Sequence, residues 1–236
     1  MSTEFTGRIA LVTGASRGIG RAAAVALGAA GAHVILLART VGGLEETDDE
    51  IRRAGGKATL IPADLGDFAS IDQLGPAVGQ RFGRLDGLAA CAGALGTLTP
   101  AHQISPALMD ECVSVNFLAN HRLIRALHPL LAQSDAGRAV FLTSGISKNP
   151  RAYWGPYAAS KAALDALVLC YAGELNVTSV KANLFNPGPT RTAMRAKAFP
   201  GEDPMTLPAP EEVAPAIADM LAPTYAENGA WVQFKR

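Results

Sequence analysis

Short apolar runs recur from one end of the chain to the other, and each is separated from the next by a stretch with helical character. No other feature narrows the choice of fold as much. Residues 8–13, 34–38, 57–63, 85–90, 138–143, 177–185 and 229–234 read as strands, apolar enough on successive positions to be covered on both faces. Between them lie predicted helices at 18–30, closed by Gly31, and at 41–54, closed by Gly55 and Gly56. Further helices are predicted after Ala63 as far as about Arg81, over 105–133 with Pro106 in the first turn, and over 156–175 and 211–221. A Pro- and Gly-rich loop fills 187–210. Strand–helix alternation of this kind makes an α/β, doubly wound parallel sheet of about seven strands with helices on both faces. No linker, repeat or low-complexity tract interrupts the pattern, so one domain over 1–236 is expected. Ligands in such sheets bind beyond the carboxyl ends of the strands, which here fall at Thr13, Ala38, Asp64, Ala90, Ser144 and Phe185.

Charge and cysteine usage remove several classes of function. Lys+Arg and Asp+Glu both number 21, and this balance argues against nucleic acid or an anionic membrane surface as partner. Cys91, Cys112 and Cys170 are scattered with no C-x-x-C pair, as free thiols in a reducing compartment would be. The start, Met1 to Thr6, has neither the basic nor the apolar region of a secretory signal, and no apolar run reaches the ~20 residues that span a bilayer. A cytoplasmic protein is expected. His33, His102, His121 and His128 show no ligand spacing, so no metal is expected.

The first strand runs into Thr13-Gly14-Ala15-Ser16-Arg17-Gly18-Ile19-Gly20, which opens the first helix. Glycines there permit a tight turn and close backbone approach, while the helix N-terminus presents amide N–H groups and a favourable dipole to a pyrophosphate. The spacing differs from G-x-G-x-x-G, and the G-K-[ST] ending of a nucleotide-hydrolysing loop is missing. Where an acidic residue after the second strand would accept from a ribose 2′-hydroxyl, Ala38 and Arg39 stand instead. Arg39 together with Arg17 suits a 2′-phosphate, which favours NADP(H) over NAD(H). Asp64 and Leu65 follow the third strand; Asp64 either accepts from the adenine amino group or serves as an ordinary loop or cap residue.

Tyr157 and Lys161 are one helical turn apart and so share a face. An unperturbed tyrosine titrates near pH ~10, and a neighbouring cation is expected to pull it toward the working range of an acid/base catalyst. Ser144 is a candidate hydroxyl to hold a substrate oxygen beside that phenol.

Read in order, T-G-x-x-x-G-I-G at 13–20, Asn116, Ser144, Y-x-x-x-K at 157–161 and P-G-x-x-x-T at 187–192 resemble the single-domain oxidoreductase branch of the short-chain dehydrogenase/reductase family. The likeness covers nearly the whole chain. The stretch 154–161, with 187–195 and 198–200, further resembles a bacterial subgroup of largely unassigned oxidoreductases.

The resemblance implies a Rossmann sheet, an NADP(H) cofactor and a small-molecule carbonyl or alcohol substrate. Tyr157 would protonate the carbonyl oxygen in reduction and act as base in the reverse direction. Lys161 would depress the tyrosine pKa and hold the nicotinamide ribose, Ser144 would orient the substrate oxygen, and the Asn116 side chain would seat a water in a proton relay. Pro187 and Gly188 would approach the nicotinamide, with Thr190 and Thr192 bonding its carboxamide or the pyrophosphate. Backbone contacts are implied from Ala92 and Gly93. Cys91 stands where the family usually has an Asn; it reads either as a redox-sensitive thiol or as a small buried one. A substrate loop over about 189–210, carrying Met194 and Phe199, would form a mobile apolar lid. Leu95, Ile146, Tyr153 and Trp154 are candidates for pocket lining or for plain packing. The chain stops at Arg236, shortly after its last strand, which would leave the pocket open or covered by a partner. A homo-oligomer, dimer or tetramer, is also implied. Two other readings compete: a non-catalytic NADP(H)-binding sensor or scaffold, and an epimerase or dehydratase of the longer-chain branch. The full catalytic set counts against the first; the glycine spacing and lack of a C-terminal substrate domain count against the second.

Overall fold

The computed structural model describes residues 4–235, so Met1 to Thr3 and Arg236, at the two ends of the expected domain, lie outside the described residues. Strands and helices alternate as β1 (Ile9–Thr13), α1 (Gly18–Ala29), β2 (His33–Ala38), α2 (Val41–Arg53) and β3 (Lys57–Pro62). They continue as α3 (Phe68–Asp72), α4 (Leu74–Phe82), β4 (Gly87–Ala90), α5 (Pro106–Val113), α6 (Ala119–Leu131) and β5 (Arg138–Leu142). The remainder is α7 (Gly155–Glu174), β6 (Lys181–Asn186), α8 (Ala193–Ala198), α9 (Pro210–Leu221) and β7 (Trp231–Gln233).

All strand pairs are parallel, and the seven strands lie in the order β3-β2-β1-β4-β5-β6-β7. The chain builds outward from β1 to β3, then crosses back to start again at β4 on the other side of β1. The strand order reverses there, and the connections leaving β1 and β4 diverge to open a crevice at their carboxyl ends.

Alternate strand residues feed two separate cores. Leu11, Leu88, Ala90, Phe141 and Leu184 pack with Leu123, Leu127 and Leu131 of α6 and with Leu164 and Val168 of α7. Ala10, Val12, Ala89, Val140 and Phe185 turn the other way, onto Ala23, Ala24 and Leu27 of α1 and Val213 and Ile217 of α9. The leucines of α6 recur every fourth residue, which puts them on one stripe; burying each contributes on the order of 1.5–3 kcal/mol. Both sheet faces are therefore covered, as the unbroken apolar character of the strands requires.

Several boundaries differ from expectation, three of them for a clear local reason. The expected helix over 105–133 is divided by a π-type turn at Ser114–Leu118, which contains Asn116. Strand β6 starts at Lys181, not at 177, because α7 is followed by a turn in which the Thr178 hydroxyl donates to the carbonyl of Leu175 at 2.9 Å. The loop over 187–210 contains α8, whose N-terminus is capped by Thr192, and a 3₁₀ turn at Pro204–Thr206.

Candidate active site

A cavity of about 840 Å³ occupies the crevice over the carboxyl ends of the central strands. At one end it is lined by the 14–20 loop, Arg39, Asp64 and Leu65; at the other by Cys91 to Gly96, Tyr157, Lys161, Pro187, Thr192 and Met194.

The loop after β1 is shaped for close approach. Gly14 has φ +66°, and a Cβ on it would meet the Ala92 backbone at 3.0 Å. A Cβ on Gly20 would come within 2.4 Å of the Gly14 carbonyl, so the first turn of α1 can press against the loop only as glycine. Arg17 precedes α1 without a side-chain cap, and the first turn has no acidic residue, so its amide N–H groups and positive dipole end face the cavity. Thr13 braces the loop from below, its hydroxyl oxygen accepting from the Ala92 N–H at 3.1 Å. These groups fit a pyrophosphate-bearing dinucleotide.

Arg17 and Arg39 both line the cavity and are largely exposed. Arg39 lies 3.7 Å from the Asp64 carboxylate, with the two side chains 69% and 49% exposed, so the pair is weakly held. The other Asp64 oxygen accepts from the Gly66 N–H at 2.8 Å, which gives Asp64 a loop-forming job.

At the opposite end Tyr157 and Lys161 are buried on one face of α7. The Lys161 ammonium lies 5.9 Å from the centre of the tyrosine ring and donates to the Leu142 carbonyl at 2.7 Å. The expected depression of the phenol is not what this geometry gives. Burial pushes Tyr157 up to about 12, against the opposing pull of the Ser144 hydroxyl. Lys161 itself is brought down to about 8, again by burial, with Asp165 the main influence holding it up. The physical reason is desolvation, which penalises both charged forms in a site closed by apolar groups. Leu95, Ile146, Tyr157 and Ala158 form a small cluster there with Trp154, Met194 and Ala198.

Asn116 is wholly buried, and its side chain is committed to protein. Its amide donates to the Ala94 carbonyl at 2.8 Å and to the Ser160 hydroxyl at 2.9 Å, while its oxygen accepts from the Ala94 N–H at 2.8 Å. Its backbone carbonyl accepts from Asn120 at 2.9 Å. The side chain ties the segment after β4 to α7, and the donor and acceptor expected to seat a relay water are already engaged. Thr190 also differs from expectation: it is buried, and its hydroxyl is 3.3 Å from the Pro187 and Gly188 carbonyls of its own turn. Thr192 lines the cavity while capping α8 through the Arg195 N–H at 3.2 Å. Gly188 and Ser144 flank the cavity without lining it, Gly188 with φ +66°. A Cβ on Gly93 would sit 3.3 Å from Asn116 and 3.8 Å from the Lys161 ammonium.

Cys91 lines the cavity with its thiol pushed up to about 12 by burial, so it is protonated and unreactive at neutral pH. Tyr153 is 59% exposed with φ +73° and belongs neither to the pocket cluster that includes Trp154 nor to the cavity lining. Val115, Glu111, Arg191 and Lys197 line the cavity but were not expected there. Lys197 and Arg191 belong to the substrate loop, so their position in sequence was a usable signal. Glu111 and Val115 depend on how α5 meets the π-type turn, which no spacing announces. Among the described residues no group of three His, Cys, Asp or Glu side chains could hold a metal ion, and no helix is long and apolar enough to cross a membrane.

Comparison with known proteins places this geometry among relatives. The short chain dehydrogenase family model matches residues 8–203. The uncharacterized oxidoreductase YciK of Escherichia coli K12 is 40% identical over 211 residues, covering 88% of this chain and 83% of its own. A short chain dehydrogenase from Salmonella enterica serovar Typhi CT18 superposes with TM-score 0.94 at 35% identity, covering 99% of this chain and 98% of that one. A structure from Escherichia coli CFT073, complexed with NADPH, gives TM-score 0.92 at 36% identity and covers 99% of both chains.

Proposed function

Since the chain belongs to the short-chain dehydrogenase family and is an oxidoreductase, we propose that it interconverts a small-molecule carbonyl and a secondary alcohol with NADP(H), using Tyr157 as the general acid/base. The observation that carries this reading is the buried Tyr157–Lys161 face at one end of a crevice whose other end is the glycine loop.

When bound, the dinucleotide supplies the hydride. The 14–20 loop and the N-terminus of α1 would hold its pyrophosphate, Arg39 and Arg17 its 2′-phosphate, and Lys161 its nicotinamide ribose. Leu65, Ala92, Gly93, Pro187 and Thr192 complete the walls, while Asn116 and Thr190 support them from behind. Tyr157 donates its phenolic proton to the carbonyl oxygen, and the Ser144 hydroxyl orients that oxygen. A phenol held up near 12 is fully protonated at neutral pH, which suits the reductive direction. The Leu95, Trp154 and Met194 surroundings exclude water from the transfer. The loop over about 189–210 closes the substrate side, and NADP(H) preference rests on the two arginines with support from the NADPH-complexed relative. A cytoplasmic homo-oligomer is the proposed form; Leu169 and Cys170, exposed on α7, suit packing between copies.

The test is a panel of ketones and aldehydes followed by NADPH absorbance, with Tyr157→Phe in parallel. The variant is expected to lower kcat by roughly 10²–10⁴ while NADPH binding stays within about threefold. Turnover retained in Tyr157→Phe would remove the tyrosine from the mechanism.

A further inference from the structure

Helix α7 carries a third polar side chain in line with Tyr157 and Lys161. Asp165 lies one turn beyond Lys161 on the same face and is buried. Its carboxylate accepts from three donors that belong to two separate parts of the chain. These are the Thr143 hydroxyl just past β5, the Ser147 hydroxyl at 2.6 Å and the Trp231 indole N–H of β7 at 3.1 Å. All three donors are neutral groups, two hydroxyls and an indole.

The placement bears on the site because of what Thr143 and Ser147 enclose. Ser144 opens the 3₁₀ turn Gly145–Ser147, its hydroxyl accepting weakly from the Ile146 N–H at 3.4 Å. Ser147 also reaches the Ser144 carbonyl at 2.8 Å. Asp165 thus grips the Ser144 turn from both sides, while Lys161, one turn earlier, grips the Leu142 carbonyl on the same strand end. We propose that Asp165 is a positioning residue: it locks the turn bearing Ser144 onto the helix bearing Tyr157 and presents its carboxylate to the Lys161 amine one turn away. The inference rests on the role assigned to Tyr157 above.

A hydrogen-bonded staple would need no charge, and burying one is costly. The charge has a target in Lys161, whose loss of basicity through burial is opposed chiefly by Asp165. The titratable groups facing Lys161 are Asp165 and Tyr157 from α7 and Cys91 from the end of β4. Tyr157 and Cys91 are both pushed up to about 12 and stay neutral near pH 7, which leaves Asp165 as the main group supporting the amine.

Asp165→Asn keeps the shape and removes the charge. It is expected to lower kcat by roughly ten- to a hundredfold, with NADPH affinity within about threefold, because the amide nitrogen replacing one oxygen cannot accept from Thr143 or Ser147 and the Ser144 turn loosens. Lys161 titrates lower in this variant by about one pH unit, read by ¹⁵N-lysine NMR with Lys161→Met as the assignment control, a measurement that needs no turnover. Thr143→Val, which spares the carboxylate, is expected to reduce kcat less and to leave the Lys161 titration in place. An unmoved Lys161 titration in Asp165→Asn overturns the inference, as does a rate loss matched by lost folded protein. If no carbonyl is reduced by the unmodified protein, the proposed reaction fails, and the titration still decides the role of Asp165.

Discussion

Arg39 approaches the glycine-loop end of the crevice with most of its side chain in water and one carboxylate, Asp64, 3.7 Å away. An exposed pair of this kind is worth little, about 0–1 kcal/mol, so Asp64 gives up the guanidinium easily to a dianionic phosphate. Hydrogen bonds to charged groups contribute about 1.5–3 kcal/mol, so Arg39→Ala is expected to weaken NADPH by roughly ten- to a hundredfold and NADH hardly at all. Calorimetry with both nucleotides checks this; an equal loss for the two would place Arg39 outside 2′-phosphate recognition. Residue types at strand ends made Arg39 and Ser144 legible in the sequence, and the i, i+4 spacing did the same for the Tyr157–Lys161 face. Hydrogen-bond direction was not legible. Asn116 and Thr190 have the right chemistry for ligand contact, yet each satisfies its own turn or neighbour, because a buried polar group takes the nearest partner. The rise of Tyr157 was hidden for a similar reason: an i, i+4 spacing gives proximity to Lys161 but says nothing about how much water the surrounding helices remove.

Elements fix how these residues meet. The π-type turn at Ser114–Leu118 gives α5 and α6 different phases, so Asn116 reaches Ala94 and Ser160 while α6 keeps its leucine stripe on the core. No residue between 105 and 133 forbids an α-helix at that point, so the sequence reads as one helix. Helix α8 was hidden within a Pro- and Gly-rich stretch because it is short and held mostly by its surroundings. Arg195 pairs with Glu202 through two contacts of 2.6 Å and stacks 3.7 Å over Phe199, whose ring meets Trp154 at 5.8 Å. Lys197, which lines the cavity, donates to the Gly96 carbonyl at 2.8 Å. This last bond joins the substrate loop to the wall after β4. Lys197→Met keeps the stem and loses the bond, at a cost of about 1 kcal/mol for a partly exposed contact. The substrate KM is expected to rise about fivefold with NADPH binding unchanged, and hydrogen exchange over 193–207 to speed up. Exchange identical to the parent would mean that the loop is held by the Arg195–Glu202–Phe199 cluster alone.

For the whole molecule, the crevice lies between two halves of one sheet, and a ligand seated there contacts both. Residues 14–20 leave β1, Arg39 leaves β2 and Asp64 leaves β3, whereas Cys91 to Gly93, Thr143 and Pro187 leave β4, β5 and β6. That sheet was legible because its strands are apolar on both faces and its helices have one apolar stripe; the two cores follow directly from the period-2 alternation. A dinucleotide bridging the halves stabilises the folded chain by mass action. At about one hundred times its Kd, NADPH adds about 2.7 kcal/mol, which for a domain of this size raises Tm by roughly 5–10 °C. NADH at the same concentration, bound about thirtyfold more weakly, adds about 0.9 kcal/mol and roughly 2–3.5 °C. Scanning fluorimetry across a concentration series separates the two slopes, and Tyr157→Phe is expected to keep both, since its phenolic oxygen contributes to the chemistry rather than to the clamp. Equal shifts from NADPH and NADH at every concentration would take away the proposed cofactor preference while leaving the crevice as the binding site.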